Sequence, residues 1–306
     1  AALDRARVPL LIICAMPVQN AALTYLLIFG SFGFPRLELV GAGVASTISN
    51  AAAFAALGLY ASRERAARAF EVFRDFATPH WRRLRAVLAL GLPISITTAF
   101  EGMLFNGSVL LVGLIGATEV AAFQIALNVS SLAFMAPLGI SFAGAVRVGL
   151  HAGAGDLDGV RRAAALTIVF AVVAISFVAA PVAAAPRAIT ALYLDASDAA
   201  NRELMALAAT FLPIAAGFML TDAVQVAANQ SLRGLKDVRA PMVITGVCYW
   251  IVGFPFAAWL SQATPAGAAG VWWGILVGIS SAALALSWRL RSLVRPRAAP
   301  AAPQTA

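Results

Sequence analysis

Two carboxylates stand where carboxylates are costly. Asp222 lies in the stretch Glu203–Arg233, which is otherwise apolar and long enough to cross a bilayer as a helix, at about 20 residues per ~30 Å of hydrocarbon. It sits about 16 Å from the Arg233 end of that helix. A charge at such depth costs about 2.5–3.5 kcal/mol on insertion scales. Phe218, Asp222, Gln225 and Asn229 follow i, i+4, i+7, i+11 spacing and share one face. Glu101 is the second such acid, midway along 87–115, with Ser95, Thr98 and Ser108 on or near its face. Gln124, Asn128 and Ser131 make a third stripe on the following apolar segment. Of the 14 Asp and Glu residues, only Glu101 and Asp222 fall at mid-membrane depth. A desolvated carboxylate demands a neutralising partner. Two of them among amides suit a proton, a Na⁺ ion, or the positive charge of an organic ligand. The plainer alternative, strongest for Gln124, Asn128 and Gln225, is interhelical hydrogen bonding that fixes packing alone.

Other chemistries find little support. An intramembrane serine protease needs a histidine at membrane depth, and His80 and His151 are both expected in loops. There is no Walker motif, so ATP does not drive this chain directly. Cys14 and Cys248 lie far apart inside apolar segments and read as small packing residues, not as a disulfide or metal framework. No enzymatic activity and no cofactor are expected. The net charge of +8 suggests nucleic acid at first sight, but arginines on membrane-surface loops account for it better.

The elements that must position these groups are helices in a bilayer. The chain is 61% hydrophobic and 12% charged, with a mean hydropathy of +0.86; soluble domains carry about 25% charged residues. Eight apolar segments, roughly 8–29, 39–61, 87–115, 118–146, 163–185, 203–231, 241–262 and 267–288, predict an all-α polytopic membrane protein. Lysines and arginines divide 19 to 3 between alternate connections. By the positive-inside rule both termini are cytoplasmic. The stretch 62–86 reads as an amphipathic cytoplasmic linker with mixed charge, and 291–306 as a Pro/Ala-rich disordered tail. Pro93, Pro137, Pro213, Pro241 and Pro255 fall in or at the ends of helices and mark bends.

An internal repeat organises the segments. RARVPLLI near the start matches DVRAPMVI near the end, aligning Arg7 with Arg239 and Pro9 with Pro241, and a Gly/Ala-rich helix follows in each case. Both copies run from cytoplasm to outside and back, a parallel repeat about the membrane normal. If the copies belong to equivalent blocks, roughly 145 residues of a first block are expected upstream of Ala1.

The runs GLPISITTAFEGMLF (91–105), QIALNVSSLAFMAPLGISFAGAVRVGLHAGAGD (124–156) and TDAVQVAANQSLRGLKDVRAPM (221–242) resemble the multidrug and toxic compound extrusion (MATE) family, its bacterial drug-efflux branch above all. The resemblance covers about residues 5 to 290. It implies a twelve-helix fold of two six-helix lobes. Residues 1–61 would supply the last two helices of the first lobe, 62–86 the linker, and 87–290 a complete second lobe. It further implies a monomeric antiporter of the bacterial inner membrane, with the lipid bilayer and small organic cations as partners and H⁺ or Na⁺ as coupling ion. Glu101 and Asp222 match the family's acids in its seventh and tenth helices. Relatives often carry Tyr four residues before the second acid; here it is Phe218, which lacks the hydroxyl as a cation ligand. Two other functions compete. A flippase for lipid-linked sugars would want basic residues in its cavity, and a purely structural membrane protein would give the buried acids no energetic role.

Overall fold

Within hydrocarbon the backbone must satisfy its own hydrogen bonds, so apolar segments of this length become helices. The computed structural model describes residues 7–33, 35–63, 80–195 and 197–294. The helices are α1 (Arg7–Phe29), α2 (Glu38–Arg63), α3 (Trp81–Gly113), α4 (Ala117–Gly153), α5 (Leu157–Ala184), the short α6 (Pro186–Thr190), α7 (Arg202–Gly234), α8 (Arg239–Val247), α9 (Phe254–Ala263) and α10 (Gly267–Val294). A π-helical turn, Cys248–Gly253, joins α8 to α9 in one span. Among the described residues, eight spans are long and apolar enough to cross a membrane. The protein is therefore an all-helical, multi-pass membrane protein.

The chain divides into two units, 1–84 and 85–306. In the first, α1 and α2 form a hairpin. A Cβ on Gly41 would lie 2.6 Å from the Leu27 carbonyl oxygen, so the helices approach to backbone contact. Asn20 Nδ2 donates to Ser46 Oγ at 3.4 Å across the pair. Cys14, expected as a packing residue, is exposed on α1.

The second unit is built around α7, whose faces are buried on nearly every side from Ala208 to Leu232. Helices α4, α5 and α10 pack against it. Glycines on α10 make its contact with α9. Gly270, Gly274 and Gly278 recur every four residues and meet Leu260, Ala257 and Gly253 in register, a run of small residues that admits close backbone packing. Arg289 Nε on α10 donates to Asp237 Oδ2 at 2.9 Å, tying that helix to the turn between α7 and α8.

Several helices outrun their apolar segments. Helix α4 continues to Gly153, so His151, expected in a loop, lies in its last turn. Asp156 caps α5: its Oδ1 accepts from the Gly159 N–H at 2.8 Å, and its Oδ2 lies 3.0 Å from His151 Nδ1. The Gly159 N–H foremost, with His151, holds this carboxyl below the usual range. The expected linker loses its ends to α2 and α3, and its middle, 64–79, lies outside the described residues. The expected tail begins late as well, since α10 is helical to Val294; 295–306 are outside the described residues. Pro93, Pro137 and Pro213 are inside helices, while Pro255 is at the first turn of α9, where a missing N–H is tolerated.

Candidate functional site

All seven singled-out residues line one cavity of about 640 Å³ formed by α3, α4 and α7: Glu101 from α3, Gln124 and Asn128 from α4, and Phe218, Asp222, Gln225 and Asn229 from α7. The polar face of α7 supplies four of these at helical spacing, and the stripes on α3 and α4 meet it. Asp222, Gln225 and Asn229 are 5%, 1% and 4% exposed, so they are withdrawn from solvent and lipid alike. Much of the remaining wall is apolar and aromatic, with Phe105, Phe134, Met135 and Phe142.

The polar groups differ in how well they are satisfied. Asn128 Oδ1 accepts from the Tyr193 hydroxyl at 2.8 Å. Asp222 Oδ1, Gln225 Nε2 and Asn229 Oδ1 are buried with no hydrogen-bond partner among the described residues. Native interiors leave few such atoms. On α7 they cluster on the cavity face and offer two oxygens, one anionic, to a cation. Thr98 and Ser131 join the lining as expected. Ser95 does not line it, and Ser108 is buried with its hydroxyl spent on its own helix, at 2.8 Å from the Leu104 carbonyl. Phe218 borders the cavity but packs inward, edge-on to Phe105 at 5.9 Å and to Trp272 at 5.8 Å between ring centroids.

Two residues of the site give no signal in the sequence. Tyr249 is fully buried in the π turn; its hydroxyl approaches the Gln225 side chain without a well-formed hydrogen bond among the described residues, and it lies within electrostatic reach of Glu101 and Asp222. Arg233, three residues beyond Gln230, lines the same cavity and is electrostatically coupled to Glu101. A basic group thus shares one acid's field from within the site, while Asp222 has no such neighbour among the described residues. No cluster of three or more His, Cys, Asp and Glu residues suited to a transition metal occurs among the described residues.

Residues 93–259 match the family model MatE. Among curated proteins, the chain is 44% identical over 304 residues to a "Probable multidrug resistance protein NorM" of Rhizobium meliloti, covering 98% of this chain and 64% of that protein. It is 42% identical over 271 residues to the "Multidrug resistance protein NorM" of Burkholderia vietnamiensis, covering 88% and 58%. The chain therefore spans less than two thirds of the length of these relatives. Its fold is similar to the crystal structure of the eukaryotic MATE transporter AtDTX14, with a TM-score of 0.79 at 22% identity, covering 94% of this chain and 65% of that one.

Proposed function

The chain belongs to the MATE family, in its bacterial branch, and on that premise we propose that it serves a secondary antiporter exporting cationic amphiphilic compounds in exchange for H⁺ or Na⁺. One observation carries the reading. The two mid-membrane carboxylates, Glu101 and Asp222, line one cavity whose other wall is aromatic and aliphatic. Such a cavity matches an amphiphilic cation in both halves. The carboxylates neutralise its charge, and Phe105, Phe134, Met135 and Phe142 cover its apolar surface. A coupling ion and the substrate's positive charge would want the same carboxylates. Their binding is then competitive, and exchange needs only alternating exposure of the cavity, with no covalent step. The relatives named as multidrug resistance proteins fit this substrate class. A flippase for lipid-linked sugars fits less well, because the cavity lining sets two acids, Glu101 and Asp222, against the single arginine Arg233 among the described residues.

In this reading α1 and α2 are the last helices of a first lobe, and α3 to α10 form a six-span second lobe. The protein works as a monomer in the bacterial inner membrane, with both ends of this chain on the cytoplasmic side. Reconstituted in vesicles, the complete gene product should drive a fluorescent organic cation across the bilayer when a pH or Na⁺ gradient is imposed. Movement indifferent to both gradients would overturn the antiport reading. For orientation, a cysteine introduced as Ala117→Cys should be labelled from outside the cell and one introduced as Ala154→Cys spared, since they flank the two ends of α4. The opposite pattern would invert the topology.

A further inference from the structure

A second cavity, of about 1090 Å³, opens between α4 and α5 on the far side of α4 from the acid-lined site. Its chemistry is graded along its length. Arg147, His151 and Arg162 gather at one end, beside the α4–α5 turn. From there it runs over Leu166, Phe170 and Phe177, all more than half exposed. Arg162 to Phe177 spans about 22 Å of helix, more than the ~15 Å of one leaflet's hydrocarbon. The groove floor is made by close packing: Gly144 on α4 faces Thr167 on α5, and any Cβ at 144 would collide with that side chain.

The two arginines of the basic end form no close ion pair among the described residues. Arg162 donates a 3.4 Å hydrogen bond from Nε to the Asp158 carbonyl and lies within electrostatic reach of Asp156 without a close ion pair to it. The carboxylate at this mouth, Asp156, is taken up by the Gly159 N–H and His151. The smaller cavity on the other face of α5 is lined by Arg161 and Arg291, of which Arg161 is paired with Asp158 at 3.7 Å.

We propose that the α4–α5 groove is a binding site for a phospholipid with an anionic head group, its phosphate held by Arg147 and Arg162 and an acyl chain laid along Leu166, Phe170 and Phe177. Charge complementarity selects the head group. The apolar length beyond the arginines, running at leaflet depth, selects a tethered chain over a free anion. From the proposed function this inference takes only that the arginine end lies at cytoplasmic headgroup level. Its test reads lipid retention and not export, so either reading can fail alone.

The experiment is native mass spectrometry of the 306-residue chain released from detergent after incubation with phosphatidylglycerol or phosphatidylcholine of identical acyl chains. Phosphatidylglycerol should be retained about tenfold better. Arg147→Gln with Arg162→Gln should bring the two lipids close to parity, whereas Arg147→Lys with Arg162→Lys should keep the preference. Ala143→Trp, at an exposed groove position, should reduce retention of both lipids without altering the elution profile of the protein. Three results would overturn the proposal. One is an unchanged preference in the double glutamine variant. Another is an equal loss on Arg82→Gln with Arg83→Gln, which removes the same charge elsewhere. The third is displacement of the lipid by glycerophosphate as efficiently as by phosphatidylglycerol. Protection of Ala143→Cys from a maleimide in lipid-free detergent would show that protein covers the groove, and would overturn it as well.

Discussion

Asp222→Asn should weaken binding of a fluorescent lipophilic cation to the purified chain by at least about 30-fold. The amide keeps the size of the carboxylate and much of its hydrogen bonding, but it cannot neutralise a positive charge. Removing one member of a buried charge pair costs roughly 2–5 kcal/mol, and Asp222 is 5% exposed with one oxygen lacking any hydrogen-bond partner among the described residues. Glu101→Gln should weaken binding too, but less. Arg233 lines the same cavity and lies within electrostatic reach of Glu101, so part of that charge is already offset. Expression and elution of both variants should hold or improve, because a neutral amide is cheaper to bury than a charge. Asp156→Asn, at the cap of α5 and outside the cavity, should leave cation binding unchanged. Unaltered affinity in the double variant Glu101→Gln, Asp222→Asn would leave the acids only a structural role. An effect larger at Glu101 than at Asp222 would contradict the part assigned to Arg233.

The spans were legible because bilayer thickness and backbone satisfaction leave a chain of this hydropathy few options. The α7 face was legible for a related reason. Asp222, Gln225 and Asn229, at i, i+3 and i+7 on an apolar helix, have no energetic justification facing lipid, so they face a cavity. Periodicity fails where a side chain satisfies itself. Ser108 looked like part of the α3 stripe, yet its hydroxyl bonds back to Leu104 and needs no cavity. It fails again at Tyr249, which sits in the apolar run CYWIVG, where no polar pattern marks it. Tyr249 comes within electrostatic reach of the acids only in the folded protein, inside a π turn, and a change of helical register is not written in residue type. The link from Tyr193 to Asn128 crosses 65 positions of sequence, and only tertiary structure discloses it. His151 was misplaced because the helix continues past the apolar segment, into the zone where polar residues no longer argue against it.

The close packing that holds the π turn should tolerate no side chain, and Gly278→Leu is expected to abolish a monodisperse protein in detergent. A Cβ at Gly278 would lie 2.9 Å from the Gly253 Cα and 3.2 Å from the Cys248 carbonyl oxygen, and these are backbone atoms that cannot rotate away. Even Gly278→Ala should lower the melting temperature, since overpacking of this kind costs about 1–3 kcal/mol. The same reasoning covers Gly253, whose Cβ would meet the Gly278 Cα at 2.9 Å. Helix propensity argues the other way, because glycine in a helix interior is about 1 kcal/mol worse than alanine. Backbone clash should win over that gain. Gly139→Leu is the contrast, because nothing lies within 4 Å of a Cβ there; it should be neutral or mildly stabilising. The contact also bears on the site. Tyr249 is part of the turn that Gly278 abuts, and Asp222 lies across from it on α7 within electrostatic reach. A Gly278→Ala protein that still folds should therefore bind the lipophilic cation less well, with Asp222 and Glu101 both intact. Normal melting and normal binding in that variant would show that the π turn can yield without disturbing the acids.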